Sequence, residues 1–137
     1  MPIELSGAMT ISAAGMDAQA ERLRVVAQNL ANQDTTAAMP GADPYRRRTI
    51  SFQAVMDETA GGETVKVKDI GTDPTAFPQK YDPANPAADS QGYIKLPNVN
   101  SFMEIMDMRE AERSYNANLS VMQASRSMAN RTIDILK

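Results

Sequence analysis

The side chains that most often do chemistry are absent: the chain has no Cys and no His. That removes thiolate nucleophiles, imidazole acid–base catalysis, Ser-His-Asp arrangements and the usual zinc ligand sets together. Carboxylates and arginines remain. Asp82, Asn85 and Asp89 lie close enough in sequence to be imagined around calcium, and Asp73 with Asp82 as an acid–base pair. A calcium loop of the EF-hand kind needs ligands at alternating positions, a turn Gly and a closing bidentate Glu, which do not occur here in that order. Asp before Pro, as at Asp73-Pro74 and Asp82-Pro83, is turn chemistry, because the short carboxylate hydrogen-bonds the nearby backbone. A glycosidase-like pair can be picked from any set of 17 acidic residues and so decides nothing. No GxGxxG, GxxxxGK[ST] or GxSxG occurs, which leaves nucleotide binding and serine hydrolysis without an anchor. Arg46-Arg47-Arg48 suits a phosphate or an acidic surface, but more ordinarily is a solvated run or an ion-pairing partner. The expectation is no catalytic residue, no cofactor, no metal site and no small-molecule substrate.

Composition narrows the class further. A net charge of −3 argues against nucleic acid as a partner, which calls for a basic footprint. At 137 residues the chain is one domain, or a small domain with long arms. Hydrophobic residues reach 42%, yet only 5% are aromatic and ten are Met, so a large rigid core is not expected. Met instead suits adaptable helix packing. No apolar run is long enough to span a membrane, and the N-terminal residues lack the pattern of a Sec signal. The lack of Cys fits a reducing compartment, and equally a protein exported without disulfides.

Two helical segments dominate the patterning. Residues 98–137 contain neither Gly nor Pro and follow Pro97, so they read as one long helix. Ser101 and Glu104 have capping-box spacing, with Asn98 and Asn100 as alternative caps. Met108, Tyr115, Met122, Ala129 and Leu136 recur every seven positions, and Ile105, Leu119 and Ile133 form an adjoining column shared with Glu112 and Arg126. Val121, Met128 and Ile135 widen the apolar face. A helix of about thirty-six residues extends about 54 Å, too long for a domain of this size to cover. Residues 6–31 form the second helix, firmest from Asp17, with Met9, Met16, Leu23 and Leu30 seven apart and Leu5 and Val26 beside them. Ala13, Ala20 and Ala27 make a small-residue column that either admits a close neighbour or simply favours helix. Gly7 and Gly15 weaken the first turns by about 1 kcal/mol each. Ser12 and Gln19 interrupt the seam, so it is imperfect alone. The fold class predicted is mainly α: long N- and C-terminal helices pairing as a coiled-coil-like antiparallel arm, with a small loop-rich β insert between them.

The insert begins after a breaker-rich linker from Asn32 to Pro44. Tyr45 to Ala54 and Val65 to Ile70 alternate as short strands, separated by Gly61-Gly62, and Tyr93 to Leu96 is a third. Proline spacing excludes regular structure from Tyr81 until Tyr93. The organisation expected is residues 1–32 as one helix, 33–97 as linker and insert, and 98–137 as the other helix, the two helices forming one helical domain.

Three stretches together resemble the flagellar basal-body rod proteins. Leu23-Arg24-Val25-Val26-Ala27-Gln28-Asn29-Leu30-Ala31-Asn32 is similar to the N-terminal motif shared by flagellar rod and hook proteins, clearest at Asn29-Leu30-Ala31-Asn32. Tyr81-Asp82-Pro83-Ala84-Asn85-Pro86, with Ala88-Asp89, Gly92-Tyr93 and Pro97-Asn98-Val99, resembles a signature of a proximal-rod member. Ser114-Tyr115-Asn116-Ala117-Asn118-Leu119, continuing to Ser127-Met128, is similar to the C-terminal axial motif, and Tyr45-Arg46 also fits. The resemblance implies a non-enzymatic subunit of the proximal rod, exported by the flagellar type III system and assembled in the periplasm. Implied partners are other rod proteins, copies of itself, and membrane-ring and export-apparatus junction proteins. Another axial subunit or a type III secretion component is the nearest alternative, and a periplasmic carbohydrate-acting enzyme the alternative of another class. Seams and resemblance together nominate an assembly interface at Met16, Leu23, Val26, Asn29, Leu30, Asn32, Tyr115, Leu119, Met122, Met128, Ile133 and Leu136. The terminal helices are expected to complete their order on assembly, because marginal seams repay little of the chain's ordering entropy.

Overall fold

The computed structural model describes residues 2–135. Helix α1 (Pro2–Ala31) and helix α2 (Ser101–Ile135) enclose four strands in sequence: β1 (Arg48–Asp57), β2 (Gly62–Thr72), β3 (Gln79–Tyr81) and β4 (Tyr93–Lys95). At 1.5 Å per residue, the 35 residues of α2 extend about 52 Å. The long helices and the β insert are thus as expected in kind. No described helix is long and apolar enough to cross a membrane.

The start of α2 differs from the capping box. Asn100 is the cap: its Oδ1 accepts from the backbone N–H groups of Phe102 and Met103, at 3.1 and 3.3 Å. Ser101 donates instead to Gln33 Oε1, and Glu104 turns inward. Four residues join β1 to β2, a connection short enough to oblige an antiparallel hairpin. Asp57 Oδ1 shapes that turn by accepting from the N–H groups of Thr59 and Ala60, at 3.0 and 3.1 Å, and Gly61 takes φ 68°. Strand β1 keeps the expected length but begins three residues later, at Arg48, and β2 runs longer than the sequence pattern indicates.

Strand β3 is missing from the sequence reading. It pairs antiparallel with β4, Gln79 opposite Lys95, Lys80 opposite Ile94 and Tyr81 opposite Tyr93. Proline limits its length rather than forbidding it, since Pro78 accepts from Leu96 N–H through its carbonyl, the one ladder group it keeps. Between the strands Asp89 Oδ1 accepts from Gln91 and Tyr93 N–H, both at 2.9 Å. Asn85 Oδ1 accepts from Ala87 N–H at 3.0 Å, and Asp73 Oδ1 from Thr75 N–H at 2.9 Å. These acidic and amide side chains are thus engaged in turns. The bonds from the Tyr93 and Gln91 backbone hold the Asp89 carboxyl below its usual pKa, and those from Thr75 do the same for Asp73.

Two compact units divide the chain. One comprises the residues through Leu23, Ile50–Asp69 and those from Arg109; the other comprises Arg24–Thr49 and Ile70–Met108. In the first, small residues line the packed side of both helices: Gly7, Ser12, Gly15 and Ala18 on α1, Ala111 and Ser125 on α2. A Cβ at Gly15 would lie 2.8 Å from the Asn118 side chain, and one at Gly7 would run into the Ala60 carbonyl oxygen. The glycines that weaken α1 are what let other backbone and side chains reach it. Ala20 and Ala27 are exposed, so their column is not where the close approach occurs. In the second unit Val25, Val26, Ala87 and Ile94 are buried.

Gly7 gives a test whose sign separates helix propensity from packing. Propensity alone makes Gly7→Ala stabilising by about 1 kcal/mol. Contact with the Ala60 carbonyl, a backbone atom that cannot rotate away, makes it destabilising instead, and the shift of the urea midpoint reads the sign.

Candidate functional site: a buried clasp and an open helix face

The two largest fully buried side chains are polar: Glu104, 0% exposed, and Asn29, 1% exposed. Asn29 sits near the end of α1 and faces the start of β1. Its Nδ2 donates to the Arg48 carbonyl at 2.9 Å while its Oδ1 accepts from Arg48 N–H at 2.8 Å, so the amide behaves like one more peptide in the ladder. Tyr45 Oη donates to the same Oδ1 at 2.9 Å. The second Nδ2 hydrogen goes to Glu104 Oε2 at 3.1 Å. Asn29 therefore makes four bonds, two given and two taken, and its amide orientation is fixed by the Arg48 backbone.

Glu104 takes its other bond from Arg47 Nε through Oε1. Arg47 Nη1 also lies 3.6 Å from Asp73 Oδ2, and Arg47 N–H donates to Asn98 Oδ1 at 2.7 Å. Asn98 Nδ2 closes the circuit by donating to the Asp73 and Thr75 carbonyls, each at 3.1 Å. Burial works against the Arg47 charge, but the hydrogen bond and charge of Glu104, with the charges of Asp73 and Asp107, outweigh it and raise the Arg47 pKa above its ordinary value. Burial likewise raises the Tyr45 hydroxyl, opposed by the Arg48 charge and aided by that of Glu104. A buried charge pair tolerates removal of one partner poorly, because the survivor is left uncompensated.

The three arginines are thus not a solvated run. Arg46 lies over the Phe77 ring at 4.1 Å and donates to the Asp73 carbonyl at 2.9 Å. Arg47 is the ion-pairing partner, and Arg48 Nη1 donates to Gln28 Oε1 at 2.9 Å. The sequence offered ion pairing as one reading of the run without saying which arginine or which acid, and read Glu104 only as a cap. Glu104 lies 57 residues from Arg47, so only the fold brings them together.

Of the twelve nominated interface residues, Val26 and Asn29 are enclosed within the chain. Met16, Leu23, Leu30, Asn32, Tyr115, Leu119 and Met122 are half-buried. Asn32 Nδ2 donates to the Gln28 carbonyl at 2.8 Å and its Oδ1 accepts from Thr35 Oγ1 at 3.2 Å, which finishes α1. Met128 and Ile133 are exposed, and Leu136 lies outside the described residues. The most enclosed line on α2 is Glu104, Ala111 and Ser125, set one position from the column of Ile105, Leu119 and Ile133. On the stripe three positions on from that line Val121, Met128 and Ile135 are exposed, the last 84% exposed, and the first turns of α2 carry exposed Phe102, Met103 and Met106.

Asn29 and Asn32 belong to one motif but hold different things, and substitution separates them. Asn29→Ala strands part-buried backbone groups of Arg48 and removes a donor from buried Glu104, costing about 2–4 kcal/mol in urea unfolding, whereas Asn32→Ala costs about 1 kcal/mol or less.

Comparison with known proteins is consistent from end to end. Residues 90–135 match the family model described as flagellar basal body rod FlgEFG protein C-terminal. The chain is 50% identical to the flagellar basal-body rod protein FlgC of Agrobacterium fabrum over 133 residues, covering 97% of this chain and 96% of that protein. It is 37% identical over 125 residues to FlgC of Escherichia coli O6:H1, covering 91% and 92% of the two chains. With FlgC of Bacillus subtilis it shares 35% identity over 144 residues, 94% of this chain and 96% of the relative. Likeness at this level over nearly the full length of each relative takes in both helices and the strands between them, and the chain belongs to the FlgC family of flagellar basal-body rod proteins.

Proposed function

We propose that the chain is a non-enzymatic structural subunit of the proximal rod, polymerising through its terminal helices into a helical drive shaft that transmits torque. The observation that carries this reading is the later part of α2, where Val121, Met128, Ile133 and Ile135 are exposed on a helix that lacks a core of its own to cover them. Large apolar side chains left open along one element mark a surface made for another chain. Each fully buried in assembly contributes roughly 1.5–3 kcal/mol. Head-to-tail contacts that do not close into a ring generate a filament.

Residues 1–32 and 98–137 act in this reading as one helical domain, paired antiparallel, with 33–97 as the insert facing outward. Support for the pairing comes separately from each compact unit: Gly15 meets Asn118 in one, and Asn29 meets Glu104 in the other, so residues later in α1 meet residues earlier in α2. Met16, Leu23, Leu30, Tyr115, Leu119, Met122, Met128, Ile133 and Leu136 are the residues proposed to reach neighbouring subunits. Val26, Asn29 and Asn32 would support that interface from within. The partners are copies of the chain, other rod proteins, and junction proteins of the membrane ring and export apparatus. Export through the flagellar type III system and assembly in the periplasm complete the proposal, and they agree with a chain that has no Cys.

Quantitative mass spectrometry of detergent-isolated basal bodies tests the reading, with the chain expected at several copies per particle beside other rod proteins. A chain found free in cytosol or periplasm and missing from the particles contradicts it. Met128→Glu, at a position 52% exposed and therefore harmless to the isolated fold, is expected to leave export intact and to abolish incorporation and swimming; normal motility would exclude this face as the interface.

A further inference from the structure

The apolar column on α2 that seven-residue repetition nominates is Met108, Tyr115, Met122 and Ala129, yet the enclosed line is Glu104, Ala111 and Ser125. The two lines are related by four residues, one turn of helix. Moving α2 by one turn, about 5.4 Å, would bring Met108 to the place of Glu104 and enclose the larger apolar side chains. By apolar side-chain size alone the seven-residue column is the stronger seam, so something other than apolar content selects the observed register.

We propose that the Arg47–Glu104–Asn29 clasp is the register device of α2, holding its first turns one helical turn away from the register that apolar burial prefers. Three observations carry this. The clasp occurs once: one turn on, the position is Met108, which accepts nothing from Asn29 or Arg47. Glu104 is 0% exposed and fully engaged, Oε2 with Asn29 at 3.1 Å and Oε1 with Arg47 Nε. Asn29 and Arg47 cannot follow a sliding helix, because Asn29 is held to the Arg48 backbone and Arg47 to Asn98 and Asp73 by bonds that do not involve α2. Buried polar groups that fix register against a degenerate apolar seam are the best attested use of such pairs. Arg47 and Glu104 thus act as positioning residues for the face that α2 presents outward, since a turn of slip carries Phe102, Met106 and Met128 with it.

The chain contains no Cys, so engineered pairs report register without background. Ser101 and Gln33 are in contact, and Gln33→Cys with Ser101→Cys reads the observed register; Gln33→Cys with Ile105→Cys reads the slipped one. In the full-length purified chain, the first pair is expected to cross-link readily and the second not measurably. Arg47→Met with Glu104→Leu, which leaves no buried charge behind, is expected to retain helix content by circular dichroism while the 33–105 product rises at least tenfold. Glu104→Met alone serves should the double variant lose helix content, with the same product expected. Arg47→Lys keeps the ion pair and is expected to cross-link only at 33–101. Cross-linking at 33–101 alone in the helical charge-removed variants would overturn the proposal, as would a 33–105 product in Arg47→Lys.

Discussion

Everything in the half of the chain around Asn29 depends on a buried carboxylate that must be satisfied. Glu104 has no access to water, and its two oxygens take their bonds from α1 and from the residue before β1. An ionised side chain enclosed without partners is prohibitively costly, so the end of α1, the start of β1 and the start of α2 have to arrive together. Asn29 makes the requirement stricter, because its amide serves a strand and the Tyr45 hydroxyl as well as a helix. The motif Asn29-Leu30-Ala31-Asn32 therefore does two jobs in four residues: it locks the fold inside and ends α1.

The rest of the packing follows from thin material. The fully buried hydrophobic residues are mostly Ala with Val and a single Ile among those described, and glycines are used where another backbone must come close. Small residues bring elements near one another but exclude little water, which leaves the larger side chains of α2 half-covered or open. A polar clasp at one end and an open apolar face at the other give α2 two different roles along its length. The first holds the chain to itself, and the second is the surface proposed to meet other subunits.

The helices were legible in the sequence because Gly and Pro are absent from residues 98–137 and because apolar residues recur every seven positions. Turn chemistry at Asp73 was legible too, since a short carboxylate next to Pro acts locally, and Asn85 before Pro86 does the same. What did not show was anything that depends on distant segments meeting. Gly7 and Gly15 read as weak points in a helix, whereas they are points of approach. Periodicity ranked Met108 and Tyr115 above Glu104 because it counts hydrophobic side chains and cannot see that an acid 57 residues from Arg47 has an ion pair waiting. Strand β3 escaped because only three residues between prolines pair, and their partner lies beyond a long turn.

Hydrogen exchange of the full chain, free and within isolated basal bodies, tests most directly the claim that α2 has one end tied by the clasp and the other completed by neighbours. Amides of residues 104–111 should be protected in both states, and those of residues 121–135 should exchange quickly in the free chain and slowly in the particle. Equal protection along all of α2 in the free chain, unchanged on assembly, would contradict the account.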